Sequence, residues 1–133
     1  SILYKDEIIS EWQHEIKKNM MKFGNKIKEY ASDGKTIAGY GAPTKATLLS
    51  EISELGSSDI SFIMEDNKLK VNKFMPGNGI PIVDTKELYN KKPDVIVIFA
   101  WNFSKDIIEK LKSKINWPVS LLIPLPKFYE EKW

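Results

Sequence analysis

Thr36-Ile37-Ala38-Gly39-Tyr40-Gly41-Ala42-Pro43-Thr44-Lys45 is the stretch on which the reading of the whole chain turns. Residues 36–40 are short and mostly apolar, as a strand requires. Gly39 and Gly41 stand at its end, so the backbone can turn sharply there. Pro43 then fits the first turn of a helix, where its missing N–H has no intrahelical partner to lose. The spacing predicts a helix over about 43–55, with Ala46, Leu48, Leu49 and Ile52 inward and Gly56-Ser57-Ser58 as its stop. A second strand is expected over 60–64, which completes a β-α-β unit.

Working outward, the same alternation continues. Pro76-Gly77-Asn78-Gly79 is turn chemistry. Ile80-Pro81-Ile82-Val83 reads as a short strand placed at an edge by its proline. Asp84 or Thr85 caps a short helix through Leu88-Tyr89. Asp94-Val95-Ile96-Val97-Ile98-Phe99 is the most hydrophobic run, and a continuous β-branched run suits a strand buried on both faces. Asn102 or Ser104 opens a helix to about Ile115, with Phe103, Ile107, Ile108 and Leu111 inward. Residues 119–123 form the last strand, and Pro124-Leu125-Pro126 forces an extended exit. Before all this, residues 6–30 read as one long amphipathic helix capped by Asp6. Its apolar stripe is Ile8, Ile9, Trp12, Ile16, Met20, Phe23, Ile27 and Tyr30, and His14 lies off it. The expected fold is α/β: a Rossmann-like open parallel sheet of four to five strands with helices on both faces.

Composition narrows the chemistry. The 133 residues amount to a single domain, contain no cysteine and one histidine, and carry 20 lysines but no arginine against 18 acids. Disulfides, thiolate metal sites, a Cys nucleophile and a His-paired triad are excluded or nearly so. A net charge of +2 without a clustered basic face gives no reason to expect nucleic acid. No apolar run reaches the length of a membrane span, and no signal-peptide pattern opens the chain, which fits the cytoplasm. Glu130-Glu131 reads as a solvated tail pair. Beginning at Ser1 rather than Met, the chain reads as processed or as excised from a longer one.

Three places can carry binding chemistry. In the first turn, Gly39, Tyr40, Gly41, Ala42, Pro43, Thr44 and Lys45 combine a close-approach backbone with a helix N-terminus, which suits a phosphate. A tight turn with no ligand accounts for the same residues, and the third glycine of a dinucleotide fingerprint is missing. Glu65, Asp66 and Asn67, about 25 residues on, lie where an acid accepts hydrogen bonds from a ribose, or where an acidic turn simply ends a strand. Trp101, Asn102 and Phe103 follow the most buried strand; they can contact a ligand, or serve as helix cap and core aromatic.

These motifs occur in one order: Gly39 to Lys45; Glu65-Asp66-Asn67 with Lys70 and Lys73; Phe74-Met75-Pro76-Gly77 leading to Ile80-Pro81-Ile82; Pro93-Asp94 before the strand ending Ala100-Trp101-Asn102-Phe103; and Ile123-Pro124-Leu125-Pro126. Together they resemble the C-terminal domain of the sugar C-methyltransferases that act on nucleotide-linked deoxysugars. The resemblance implies a parent protein with N-terminal zinc and S-adenosylmethionine domains, both outside this chain, and a nucleotide-diphosphate sugar as this domain's ligand. It implies a domain without catalysis of its own, with the Gly turn near the diphosphate and the acid near the nucleoside. This chain departs from the pattern at Ala46-Thr47, where the family often has Gly-Asn, at Lys68, where it commonly has proline, and near Asn72, where it commonly has glycine. A stand-alone NAD-type module and a scaffold using Trp12 and Met20-Met21 are the competing readings.

Overall fold

A computed structural model describes residues 2–41, 49–51 and 53–133, with the side chains of 2–6 and 9 excepted. The central feature is a seven-stranded sheet. Its strands are β1 (Ile37–Tyr40), β2 (Phe62–Glu65), β3 (Lys73–Phe74), β4 (Pro81–Asp84), β5 (Val95–Ile98), β6 (Ser120–Ile123) and β7 (Tyr129–Lys132), in the order β3-β4-β2-β1-β5-β6-β7. β4, β2, β1, β5 and β6 are mutually parallel, while β3 and β7 add antiparallel edges. The five parallel strands are those of the sequence reading.

Alternation along each strand builds two core layers, because successive side chains leave opposite faces. Ile37, Ile63, Ile82, Val95, Val97 and Leu122 face one layer with Met20, Phe23 and Ile27 of helix α1 (Ile2–Ser32). Ala38, Tyr40, Met64, Ile96, Ile98 and Leu121 face the other. That second layer takes Leu88 from α2 (Glu87–Lys91) and Ile107 and Leu111 from α3 (Ser104–Lys112). Helices therefore cover both faces.

Several expectations change. Asp6 is no cap, since α1 already starts at Ile2. Among the described side chains of the stripe, Ile16, Met20, Phe23, Ile27 and Tyr30 pack, while Ile8 and Trp12 are exposed. The reason is length. A 31-residue helix runs about 46 Å, against about 13 Å for four-residue strands, so its first half overhangs the sheet. Pro81 is not at an edge, because β3 pairs with β4. The Ile82 and Ile80 carbonyls accept the Asn72 and Met75 N–H groups flanking β3, so the Pro81 nitrogen faces β2. As the first residue of its strand, Pro81 is tolerated without a donor there.

The segment after β6 does not leave extended. It turns back and returns as β7, drawn into register against Leu121 and Ile123. Glu130 and Glu131 are thereby half-buried in a strand rather than a solvated tail. The Tyr30 hydroxyl donates to Glu130, and the Phe128 N–H donates to Oδ1 of the buried Asn19 (2.8 Å), tying this hairpin to α1. Neither Asp84 nor Thr85 caps α2, whose N-cap is Lys86 without a side-chain cap bond; Asp84 Oδ1 accepts the Lys86 N–H (2.9 Å) in the turn before the helix. α3 stops at Lys112, short of Ile115, and leaves Phe103 exposed outside its buried stripe. The predicted 43–55 helix lies mostly outside the described residues, Ala46, Leu48 and Ile52 included. Residues 49–51 are helical, Leu49 is buried, and the segment closes at Glu54, which takes φ 55° two residues before Gly56.

Candidate functional site

From β1 the chain steps outward to β2 and β4, then crosses back to place β5 on the other side of β1. Strand order thus reverses between β1 and β5. In an open α/β sheet, the carboxyl ends of the strands at such a reversal leave a crevice that ligands occupy.

The two glycines of the first turn have different tasks. Gly39 lies within β1, where an added Cβ would stand 2.7 Å from Cε2 of Phe99 and 3.0 Å from Cγ1 of Ile63. Its bareness makes room for the Phe99 ring inside the core. Gly41 is the turn itself, at φ 72°, with its N–H donating to the Met64 carbonyl (2.9 Å). Ala42, Pro43, Thr44 and Lys45 lie outside the described residues.

At the end of β2 the neighbouring acids part company, because consecutive side chains leave opposite faces of the sheet. Glu65 follows Ile63 toward the α1 layer and is 8% exposed. Its Oε1 accepts the Asn67 N–H (3.0 Å), while Oε2 is buried with no hydrogen-bond partner among the described residues. The register Gly39↔Ile63, Tyr40↔Met64, carried one step on, sets Gly41 beside Glu65.

Asp66 goes the other way. Its Oδ2 accepts the Tyr40 hydroxyl and the Lys110 ammonium, each at 3.0 Å, and Lys110 Nζ also stands 5.8 Å from the centre of the Tyr40 ring. Burial pushes the Asp66 carboxyl upward. Hydrogen bonds from Lys110 and Tyr40, with the Lys110 charge and the Thr85 hydroxyl, outweigh that and hold it below the usual carboxylate range. Burial raises the Tyr40 phenol, and Asp66 adds to this against the pull of Lys110. The contacts with Tyr40 and then Asp66 raise the Lys110 ammonium. Tyr40 is therefore a neutral donor and Asp66 an ionised acceptor, engaged with each other and with α3. Lys110 and Thr85 escaped the sequence reading: Lys110 is 44 residues from Asp66 and sits on the polar side of an ordinary amphipathic helix.

At the carboxyl end of β5, a 3-10 turn (Trp101–Phe103) leads into α3. Trp101 packs at the sheet's carboxyl edge against both core layers. Asn102 is exposed and is not a helix cap, since α3 has no side-chain cap bond. The structure thus brings Gly41, Glu65 and Trp101 to one edge, while Tyr40 and Asp66 serve the opposite face of the sheet there. A depression of about 350 Å³ lined by Thr36, Ser61, Phe62, Pro81, Val83 and Lys91 lies at the amino ends of the strands instead. Ligands of open parallel sheets bind at the other end. Among the described residues no helix is long and apolar enough to cross a membrane.

Residues 2–126 match the family model described as the C-methyltransferase C-terminal domain. The C-methyltransferase NovU of Streptomyces niveus is 35% identical over 101 residues, which cover 76% of this chain and 24% of that protein. The chain thus spans about a quarter of that relative's length. Among solved structures, the UDP-D-quinovosamine 4-dehydrogenase of Vibrio fischeri aligns over 73% of this chain and 93% of its own. The TM-score is 0.49 and the identity 17%.

Proposed function

The chain belongs to the family of C-methyltransferase C-terminal domains, and on that premise we propose that it holds the nucleotide-diphosphate sugar to be methylated. The crevice carries this reading. The strand order reverses between β1 and β5, with the positive-φ turn at Gly41 on one wall and the Trp101 turn on the other. In this role the diphosphate lies against the turn after Gly41, held by backbone N–H groups and by lysine. The chain has no arginine for a bidentate clamp. Lys45 is the first cation to test.

The domain's contribution is binding and orientation. Methyl transfer to a sugar carbon needs a methyl donor and a base positioned at an acidic C–H. The Tyr40–Asp66–Lys110 group supplies no such base, because its phenol is pushed up and its carboxyl is engaged. We assign S-adenosylmethionine and zinc to other domains of the parent protein, and methyl transfer to the whole protein rather than to this chain alone.

Calorimetric titration tests the assignment. Thymidine- or uridine-diphosphate sugars are expected to bind the 133-residue chain, with S-adenosylmethionine inert. Lys45→Ala is expected to weaken nucleotide-sugar binding on the order of tenfold, by loss of one charge-assisted contact. Binding of the methyl donor without the nucleotide sugars would refute the reading. A response to NAD alone would transfer it to the dinucleotide class.

A further inference from the structure

The first half of α1 has no sheet beneath it, and three contacts give the direction in which it points. Near the end of the helix, the Tyr30 hydroxyl donates to Ser120 Oγ (3.3 Å), at the start of β6. Phe23 packs on Phe99, just past the carboxyl end of β5. Asn19 Oδ1 accepts the Phe128 N–H (2.8 Å), next to the Tyr129 that pairs with Ile123 at the carboxyl end of β6. α1 therefore runs against the parallel strands. Its residues before about 16 project beyond their carboxyl edge, the edge that holds Gly41, Glu65 and Trp101. At 1.5 Å per residue the overhang reaches about 20 Å.

This overhang keeps an apolar face. Ile8 and Trp12, one turn apart, continue the stripe that Ile16, Met20 and Phe23 present to the core, yet they are 47% and 64% exposed. A helical stretch this short is marginal in water, because helices draw most of their stability from packing an apolar face. Charge divides along α1 as well. Residues 2–15 hold four acids and one lysine, whereas residues 16–32 hold five lysines and one acid. The exposed Glu11 and Glu15 run along one flank of the Ile8–Trp12 pair.

We propose that this face is an interdomain interface, and that its occupant is the part of the parent protein that precedes this domain. That part would seat an apolar patch on Ile8 and Trp12 and a basic rim against Glu11 and Glu15, since interface charges are arranged as complements. The reading rests on the assignment of methyl transfer to the whole protein. Two observations select the occupant. The matched family is a C-terminal domain, and the chain covers 24% of its C-methyltransferase relative, so most of the length of such a protein stands ahead of α1. The overhang lies at that same end of the helix and points past the carboxyl edge, so a domain seated on it faces the crevice.

Hydrogen exchange at the amides of residues 8–15 tests this, compared between the 133-residue chain and the full-length parent protein. Fast exchange is expected in the chain alone. Slowing of roughly a hundredfold or more is expected in the parent, because a docked element shares the stability of what it packs on. In the parent, Trp12→Glu should restore fast exchange and Trp12→Phe should keep the protection. Met21→Glu should change nothing, since Met21 is exposed about two and a half turns on, on the opposite side of the helix. Equal exchange in chain and parent, protection that survives Trp12→Glu, or a parent reading frame with no domain ahead of this one overturns the proposal. Nucleotide-sugar binding by the chain stands or falls separately, by titration. Protection of the chain alone that grows with concentration and doubles its mass gives the face to a second copy. Protection produced by a nucleotide-diphosphate sugar alone gives it to the ligand. Either result also overturns the interdomain assignment.

Discussion

Replacing Gly39 by alanine separates packing from ligand approach at the first turn. Gly39 has no positive φ, so its backbone suits alanine. In an unhindered strand, Gly→Ala at such a site stabilises by about 0.4–1 kcal/mol through the unfolded chain. The structure predicts the opposite sign. The new Cβ would stand 2.7 Å from Cε2 and 3.0 Å from Cδ2 of Phe99, and 3.0 Å from Ile63 Cγ1. The ring cannot swing away. Phe99 is fully buried and packs edge-on against Phe23, with centroids 6.1 Å apart and planes at 79°. Overpacking of this kind costs about 1–3 kcal/mol, so the net loss is about 1–2 kcal/mol. For 133 residues the unfolding entropy is about 0.28 kcal/mol/K, and Tm falls by about 4–7 °C. Urea unfolding of the single variants and of Gly39→Ala with Phe99→Leu is the assay. Shortening the ring should remove most of the alanine penalty, giving a coupling of about 1 kcal/mol or more. A neutral or stabilised Gly39→Ala, or additive single effects, would show that the Phe99 ring does not set the need for glycine.

Two further outcomes follow from contacts across elements. The Asp66 carboxyl sits below its ordinary value, so the stability it lends is present above 3.8 and is lost as pH falls through the depressed folded value. Lys110→Met should flatten that acid decline in a urea series run from acid to neutral pH. At neutral pH it should cost less than about 1 kcal/mol, because both side chains are about half exposed; parallel pH curves would refute the linkage. Asn19→Leu keeps the branched shape of a 2%-exposed side chain but strips the Phe128 N–H of its acceptor. A loss of about 1–3 kcal/mol is expected, with faster amide exchange at Phe128 and along β7, and protection unchanged there would contradict it.

Sequence alone determined the α/β class, the five parallel strands, the sharp turn at Gly41 and the family. Each of these is local: a β-branched run from Val95 to Ile98, two glycines ahead of a proline, and motifs held in order along the chain. Periodicity also marked the α1 stripe, but nothing in the pattern says where the sheet ends, so the exposure of Ile8 and Trp12 was not legible. β3 and β7 were missed for a related reason. Lys73-Phe74 and Tyr129-Glu130-Glu131-Lys132 carry no apolar alternation, and they are strands only because β4 and β6 offer them free edges.

The division between Glu65 and Asp66 likewise belongs to the tertiary structure. In sequence they are two adjacent acids of equal promise. The pleat turns one toward each face, a lysine 44 residues away claims Asp66, and one oxygen of Glu65 is left over. Gly39 looked like part of a binding turn until Phe99, sixty residues on, proved to lie across it. Spacing places residues at an edge; only the packing of distant elements decides which of their polar groups are already spent, and so which remain to meet a ligand.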